Sequence, residues 1–161
     1  GLGLGSTFSV QLPLSQRTLG KGAANSDAGP SEGRLKGVHV LLVDDSADVV
    51  DVMRMLLEME DAHVTTFLNP VEALENVGGH RFDVILTDIG MPEMDGHAFI
   101  TAIREQAQYQ ATPAIALSGY GVSPPSREGR VAHFDLQLTK PVHYDELVGA
   151  IESLCRASQT L

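Results

Sequence analysis

Asp44, Asp45, Asp88, Ser118 and Lys140 carry the chemistry that this sequence can perform. Each stands where an apolar run gives way to a loop: the acid pair after 38–43, Asp88 after 82–87, Ser118 at the end of 113–118, and Lys140-Pro141 after 134–138. Three carboxylates drawn within a few ångströms of one another repel, and they persist as anions only beside a cation. Carboxylate oxygens with retained waters are what Mg2+ prefers. A lysine adds a point charge and a serine adds a hydroxyl donor. Together they would neutralise the oxygens of a transferring phosphoryl group. One carboxylate must then be the nucleophile, since aspartyl phosphate formation is an established use of Asp. Asp88 is the natural choice, lying between the acid pair and the Ser118/Lys140 pair. Taken singly, these residues have plainer roles as helix caps, a strand-end cap and a surface lysine. Their joint occurrence at four strand ends is what points to chemistry.

The elements that must position them follow from periodicity. Residues 38–43 (VHVLLV) and 82–87 are nearly continuous apolar runs, as expected of parallel strands covered on both faces. Further strands are predicted at 63–67, 113–118 and 134–138. Val49, Val50, Val52, Met53, Leu56 and Leu57 recur at helical spacing, with Asp45 or Ser46 as cap. Asn69-Pro70 opens a helix whose buried face is marked by Val71, Leu74 and Val77, and Gly78-Gly79 ends it. Helices are also predicted over 96–107, over 126–133 with Gly129 interrupting it, and from 142 or 143 to about 156, the last with Leu147, Ile151 and Leu154 inward. Asp95 caps the helix that starts at Gly96, and Met91 and Met94 pack around the loop before it. Strands alternating with helices imply an α/β fold with a parallel sheet and right-handed crossovers. Every strand-to-helix loop then opens on one edge, where such folds bind ligands.

Composition narrows the function. The chain has 161 residues, of which 43% are apolar and 5% aromatic, enough for one domain plus a tail. Residues 1–37 hold four Lys/Arg and two Asp/Glu, net +2, whereas 38–161 hold seven and nineteen, net −12. So acidic a domain repels phosphate backbones, which argues against direct nucleic-acid binding and for a cation or a basic partner. The single cysteine, Cys155, allows no internal disulfide and fits a reducing compartment. No apolar run reaches the length of a membrane span, so no direct membrane contact is expected, and a cytoplasmic location is the default. The six histidines show no metal-ligand spacing.

Four motifs, VDDS (43–46), LTDIGMPEMDG (86–96), ALSGYG (116–121) and LTKP (138–141), resemble the receiver domain of two-component response regulators. The spacings of 43 from Asp45 to Asp88, 30 to Ser118 and 22 to Lys140 are similar to that family's. The resemblance implies a flavodoxin-like doubly wound sheet of five parallel strands, order 2-1-3-4-5, with helices on both faces. It makes Asp88 the phosphoacceptor. It implies Mg2+ (or Mn2+) ligated by Asp45 directly, by Asp44 through water, by Asp88 and by the carbonyl of Gly90. Ser118 and Lys140 would bind the phosphoryl group, and the Lys140–Pro141 bond is expected to be cis. One departure matters: where the family commonly places Tyr or Phe, three residues before the lysine, this chain has Gln137. Tyr120 is a candidate substitute for that aromatic, and an exposed loop residue is the plainer reading.

Residues 1–14, GLGLGSTFSVQLPL, resemble the final strand of the ATP-binding domain of histidine kinases. The expected organisation is therefore a strand remnant at 1–14, a flexible linker at 15–37, a receiver at 38–157 and a tail at 158–161, with no output domain downstream. The leading expectation is the receiver of a hybrid histidine kinase. Its partners would be a kinase phosphoacceptor domain or a histidine phosphotransfer protein, and its own catalysis at most autophosphatase activity. A stand-alone regulator and a receiver that works by contact without phosphorylation are the alternatives. A phosphatase with an Asp nucleophile is disfavoured, since its general-acid Asp would stand where this chain has Gly90.

Overall fold

The computed structural model of the chain describes residues 33–119 and 134–158. The predicted strand at 7–12, most of the linker, Tyr120, the predicted helix at 126–133 and residues 159–161 lie outside them. The described elements are β1 (His39–Val43), α1 (Ala47–Glu58), β2 (His63–Phe67), α2 (Pro70–Asn76), β3 (Val84–Asp88), α3 (Gly96–Ile103), a 3-10 turn (Ala107–Tyr109), β4 (Ala114–Ser118), β5 (Leu136–Thr139) and α4 (Tyr144–Ser158). The strands form one parallel sheet in the order β2-β1-β3-β4-β5, the doubly wound arrangement that the resemblance implies.

Side chains alternate across a strand, so each central strand feeds two cores. Val40, Leu42, Val84, Leu86, Ile115, Leu117 and Leu138 pack with Val50, Met53 and Leu57 of α1 and Leu147, Val148 and Ile151 of α4. Leu41, Val43, Ile85 and Ala114 pack on the other face with Ala73 of α2 and Phe99, Ile100 and Ile103 of α3. All five residues of β3 are buried, and its apolar run Val84-Ile85-Leu86 ends in buried Thr87 and Asp88. Each fully buried Leu, Ile or Val contributes roughly 1.5–3 kcal/mol, and β3 sits at the centre of that sum.

Helix starts follow local chemistry. Asn69 Oδ1 accepts from the N–H groups of Val71 and Glu72, with Pro70 in the first turn, and Asp95 accepts from Ala98 N–H at 2.8 Å. Ser46 occupies the cap position of α1 without a side-chain cap bond. Three details depart from the sequence reading. Val71 is 38% exposed, because α2 spans only seven residues and Pro70 and Ala73 form its inner face. Val52 on α1 is also exposed, at 51%. The helix predicted over 96–107 stops at Ile103. The chain then turns Tyr109 into the core, where its hydroxyl donates to the carbonyls of Val77 and His80.

The expected linker also ends earlier than residue 37. Residues 33–37 form a turn with Leu35 fully buried. Leu35 N–H donates to Glu60 O, Gly33 N–H to Asp61 Oδ2 and Arg34 N–H to Glu60 Oε2. The Arg34 guanidinium pairs with Glu152 of α4 at 2.8 Å. A single leucine among glycine and charged residues sets up no periodicity, so local sequence reading assigns the segment to the linker.

Candidate functional site

The carboxyl ends of β1, β3, β4 and β5 deliver Asp44, Asp88, Ser118 and Lys140 to one edge of the sheet. Asp88 is the last residue of β3 and is 6% exposed, while Asp44, just past β1, is fully buried. Two such carboxylates side by side require a cation, and Lys140 supplies it. Its Nζ lies 2.6 Å from Asp44 Oδ2 and 2.5 Å from Asp88 Oδ1. Burial pulls the Lys140 pKa down, but the hydrogen bonds and charges of Asp44 and Asp88 outweigh it and hold it above the ordinary lysine value. The backbone fixes this reach: Lys140 N–H donates to Ser118 O at 2.7 Å, and the Lys140–Pro141 bond is cis, as expected.

The second oxygen of each carboxylate is held by a backbone donor. Asp44 Oδ1 accepts from Ser46 N–H at 2.9 Å, and Asp88 Oδ2 accepts from Gly90 N–H at 2.6 Å. The loop after β3 is pinned by Ile89 N–H to Leu117 O and Gly96 N–H to Ile89 O. Glycine is needed at 96, since a Cβ there would lie 2.3 Å from the Asp88 carbonyl oxygen. Between these anchors Glu93 adopts a φ of +67° at the centre of a tight turn, Met94 N–H donating to Pro92 O. Met91 is buried and Met94 packs against the α2/α3 core, the packing role that the sequence reading gave them.

Asp45 is exposed, as is Gly90. Among the described residues, no group of three or more His, Cys, Asp or Glu side chains is gathered as a metal site; the cation that joins Asp44 to Asp88 is the Lys140 ammonium. The donors at this edge (three carboxylates and the Gly90 carbonyl) are hard oxygens nonetheless, the chemistry that Mg2+ selects. They fit such an ion by type once Lys140 yields a carboxylate oxygen.

Ser118 is 2% exposed, and its hydroxyl is engaged with β5. Its Oγ donates to Leu138 O at 3.3 Å and accepts from Gln137 Nε2 at 3.0 Å. Sequence reading treated Gln137 only as a missing aromatic and overlooked this bond. The available signal was the polar amide itself, two positions back from Ser118's register partner Thr139. The exposed row Val52, Met55 and Met59 on α1 was overlooked as well. Beside it an apolar cleft of about 630 Å3, lined by Val52, Leu56, Pro141 and Tyr144, opens next to Lys140.

Comparison with known proteins agrees with this geometry. Protein PilG of Pseudomonas aeruginosa is 30% identical over 122 residues, which cover 76% of this chain and 90% of PilG. The chemotaxis protein CheY4 of Vibrio cholerae superposes with a TM-score of 0.67 at 33% identity, covering 73% of this chain and 98% of that one. The receiver domain of a sensor histidine kinase from Pseudomonas aeruginosa, whose structure has a magnesium ion coordinated in the active site cleft, gives a TM-score of 0.67 at 27% identity over 74% of this chain and 98% of its own. Residues 40–152 match the response regulator receiver domain. With both the sheet order and the sequence in agreement, this chain belongs to the response regulator receiver domain family of two-component signalling.

Proposed function

We propose that Asp88 is the phosphoacceptor of this receiver, taking a phosphoryl group from a phosphohistidine. The observation that carries the reading is the Lys140 ammonium shared between Asp44 and Asp88, which collects negative charge at a strand end and marks where more can be accepted. An Asp88 carboxylate oxygen attacks phosphorus, the P–N bond to the imidazole breaks, and its electron pair leaves with the ring nitrogen. Gly90 N–H keeps the carboxylate oriented. Lys140, already on Oδ1, transfers its hydrogen bond to a phosphoryl oxygen. Ser118 offers its hydroxyl to another. Mg2+ held by Asp44, Asp45, Asp88 and the Gly90 carbonyl would screen the charge of the incoming phosphoryl oxygens.

The donor is read as the phosphoacceptor domain of a histidine kinase or a histidine phosphotransfer protein. The apolar cleft beside Lys140 supports delivery by a protein surface. A hybrid histidine kinase is the favoured parent, on the likeness of residues 1–14 to a kinase strand and on the similarity to a sensor kinase's receiver. The reducing interior of the cell is the favoured compartment, on the single cysteine.

The test is incubation with acetyl phosphate or phosphoramidate, with and without Mg2+, followed by peptide mass spectrometry. A Mg2+-dependent, hydroxylamine-labile adduct on Asp88, absent from Asp88→Asn, is the expected result. No adduct on wild-type protein would leave a receiver that works by contact alone.

A further inference from the structure

The Ser118 hydroxyl has one hydrogen and two lone pairs. Its hydrogen goes to Leu138 O and one lone pair accepts the Gln137 amide, so both partners belong to β5. Gln137 pairs in register with Ala116, and Ser118 pairs with Thr139. In a parallel pair these four residues share one face of the sheet. The methyl group of Ala116 leaves room for the Gln137 side chain to lie forward along β4 and reach Oγ. Ser118 is 2% exposed, so bulk water offers its hydroxyl little alternative. Gln137 is exposed, and its amide can exchange Oγ for water at low cost. The bond therefore ties a buried hydroxyl at the site to a side chain that solvent and partners can reach.

We propose that Gln137 is a positioning residue: its amide holds the Ser118 hydroxyl toward β5 while Asp88 is unmodified, and that bond breaks when the hydroxyl turns to a phosphoryl group on Asp88. The inference rests on the phosphoryl-accepting reading above. It gives position 137 a polar latch on the Ser118 hydroxyl.

Wild type, Gln137→Met, Ser118→Ala and the double variant are compared for the rate of Asp88 labelling by acetyl phosphate with Mg2+. Gln137→Met keeps the length of the side chain and removes the donor. It is expected to label about fivefold faster, the factor that corresponds to one ordinary net hydrogen bond. In the Ser118→Ala background the same substitution is expected to change nothing. Independently, the Gln137 side-chain amide resonance of 15N-labelled wild-type protein, identified by its loss in Gln137→Met, is expected to shift on addition of beryllofluoride with Mg2+. In Ser118→Ala it is expected to stay in place.

Wild-type protein that labels normally, with Gln137→Met equal to it or slower, would overturn the latch and leave the phosphoryl reading intact. An effect that persists without the Ser118 hydroxyl, or a wild-type amide resonance that ignores beryllofluoride, would do the same. Failure of wild-type protein to label at Asp88 would overturn both.

Discussion

The Nζ of Lys140 lies 2.5 Å from Asp88 Oδ1, although 52 residues separate them along the chain. The same ammonium reaches fully buried Asp44 at 2.6 Å. Removing it leaves two neighbouring carboxylates without the cation that joins them. Breaking a well-buried pair costs about 3–5 kcal/mol, and the 24% exposure of the Lys140 side chain lowers this. Lys140→Met is therefore expected to lose about 2 kcal/mol at neutral pH, read by urea unfolding. Mg2+ should restore more stability to the variant than it adds to wild type, because ion and ammonium compete for the same oxygens.

The alkaline limb of stability carries the sign of the Lys140 shift. Its folded pKa stands above the ordinary value of 10.5. The stabilisation is then fully present below that value and is lost as pH rises through the folded pKa. The gap between wild type and Lys140→Met should stay constant from neutral pH to about pH 9 and shrink beyond the lysine range. Urea midpoints measured across that interval check it. A gap that widens with rising pH would contradict the assignment.

Gly96→Ala tests the seat of the loop that carries Gly90. A Cβ at 96 would lie 2.3 Å from the Asp88 carbonyl oxygen and 3.0 Å from Ile89 Cα. Backbone cannot yield as a flexible side chain does, so the start of α3 must move. A loss of about 1–3 kcal/mol in urea unfolding is expected, together with slower labelling of Asp88. Gly78→Ala, which meets nothing within 4 Å, is the control and should lose less than about 1 kcal/mol.

Cys155 offers a probe of packing rather than of chemistry. Burial, with a smaller contribution from the charge of Asp83, pushes its thiol up to about 11. The thiolate is the reactive form, so iodoacetamide at pH 8 should leave the folded protein unmodified while alkylating it fully in urea. Rapid modification of native protein would mean that α4 opens readily against the sheet.

How much was legible in the sequence depended on whether the signal was local. β3 could be read because burial on both faces leaves it with no polar residue until Thr87 and Asp88. Asn69-Pro70 and Asp95-Gly96 mark helix starts because capping acts within three residues. Asp88 and Lys140 could be placed at strand ends, since the alternation of elements puts every such end on one edge of the sheet. Val71 and the end of α3 were misjudged, because an apolar residue announces a preference for burial and not the presence of a neighbour to bury it. Leu35 was lost for the opposite reason, having a neighbour and no local pattern.

The sequence by itself determined the fold class and the set of residues that share one edge, whereas the strand order followed only from the resemblance of its motifs to a known family. Periodicity, turn residues and the abrupt polar ends of apolar runs are properties of neighbours in the chain, so no coordinates are needed to read them. Only the tertiary structure decided that Lys140 joins Asp44 to Asp88, that Gln137 holds the Ser118 hydroxyl, and that Leu35 closes the α1 and α4 side of the core. Those contacts depend on register between strands and on which way each side chain turns. Both are set by packing among residues far apart in the chain, which no local pattern encodes.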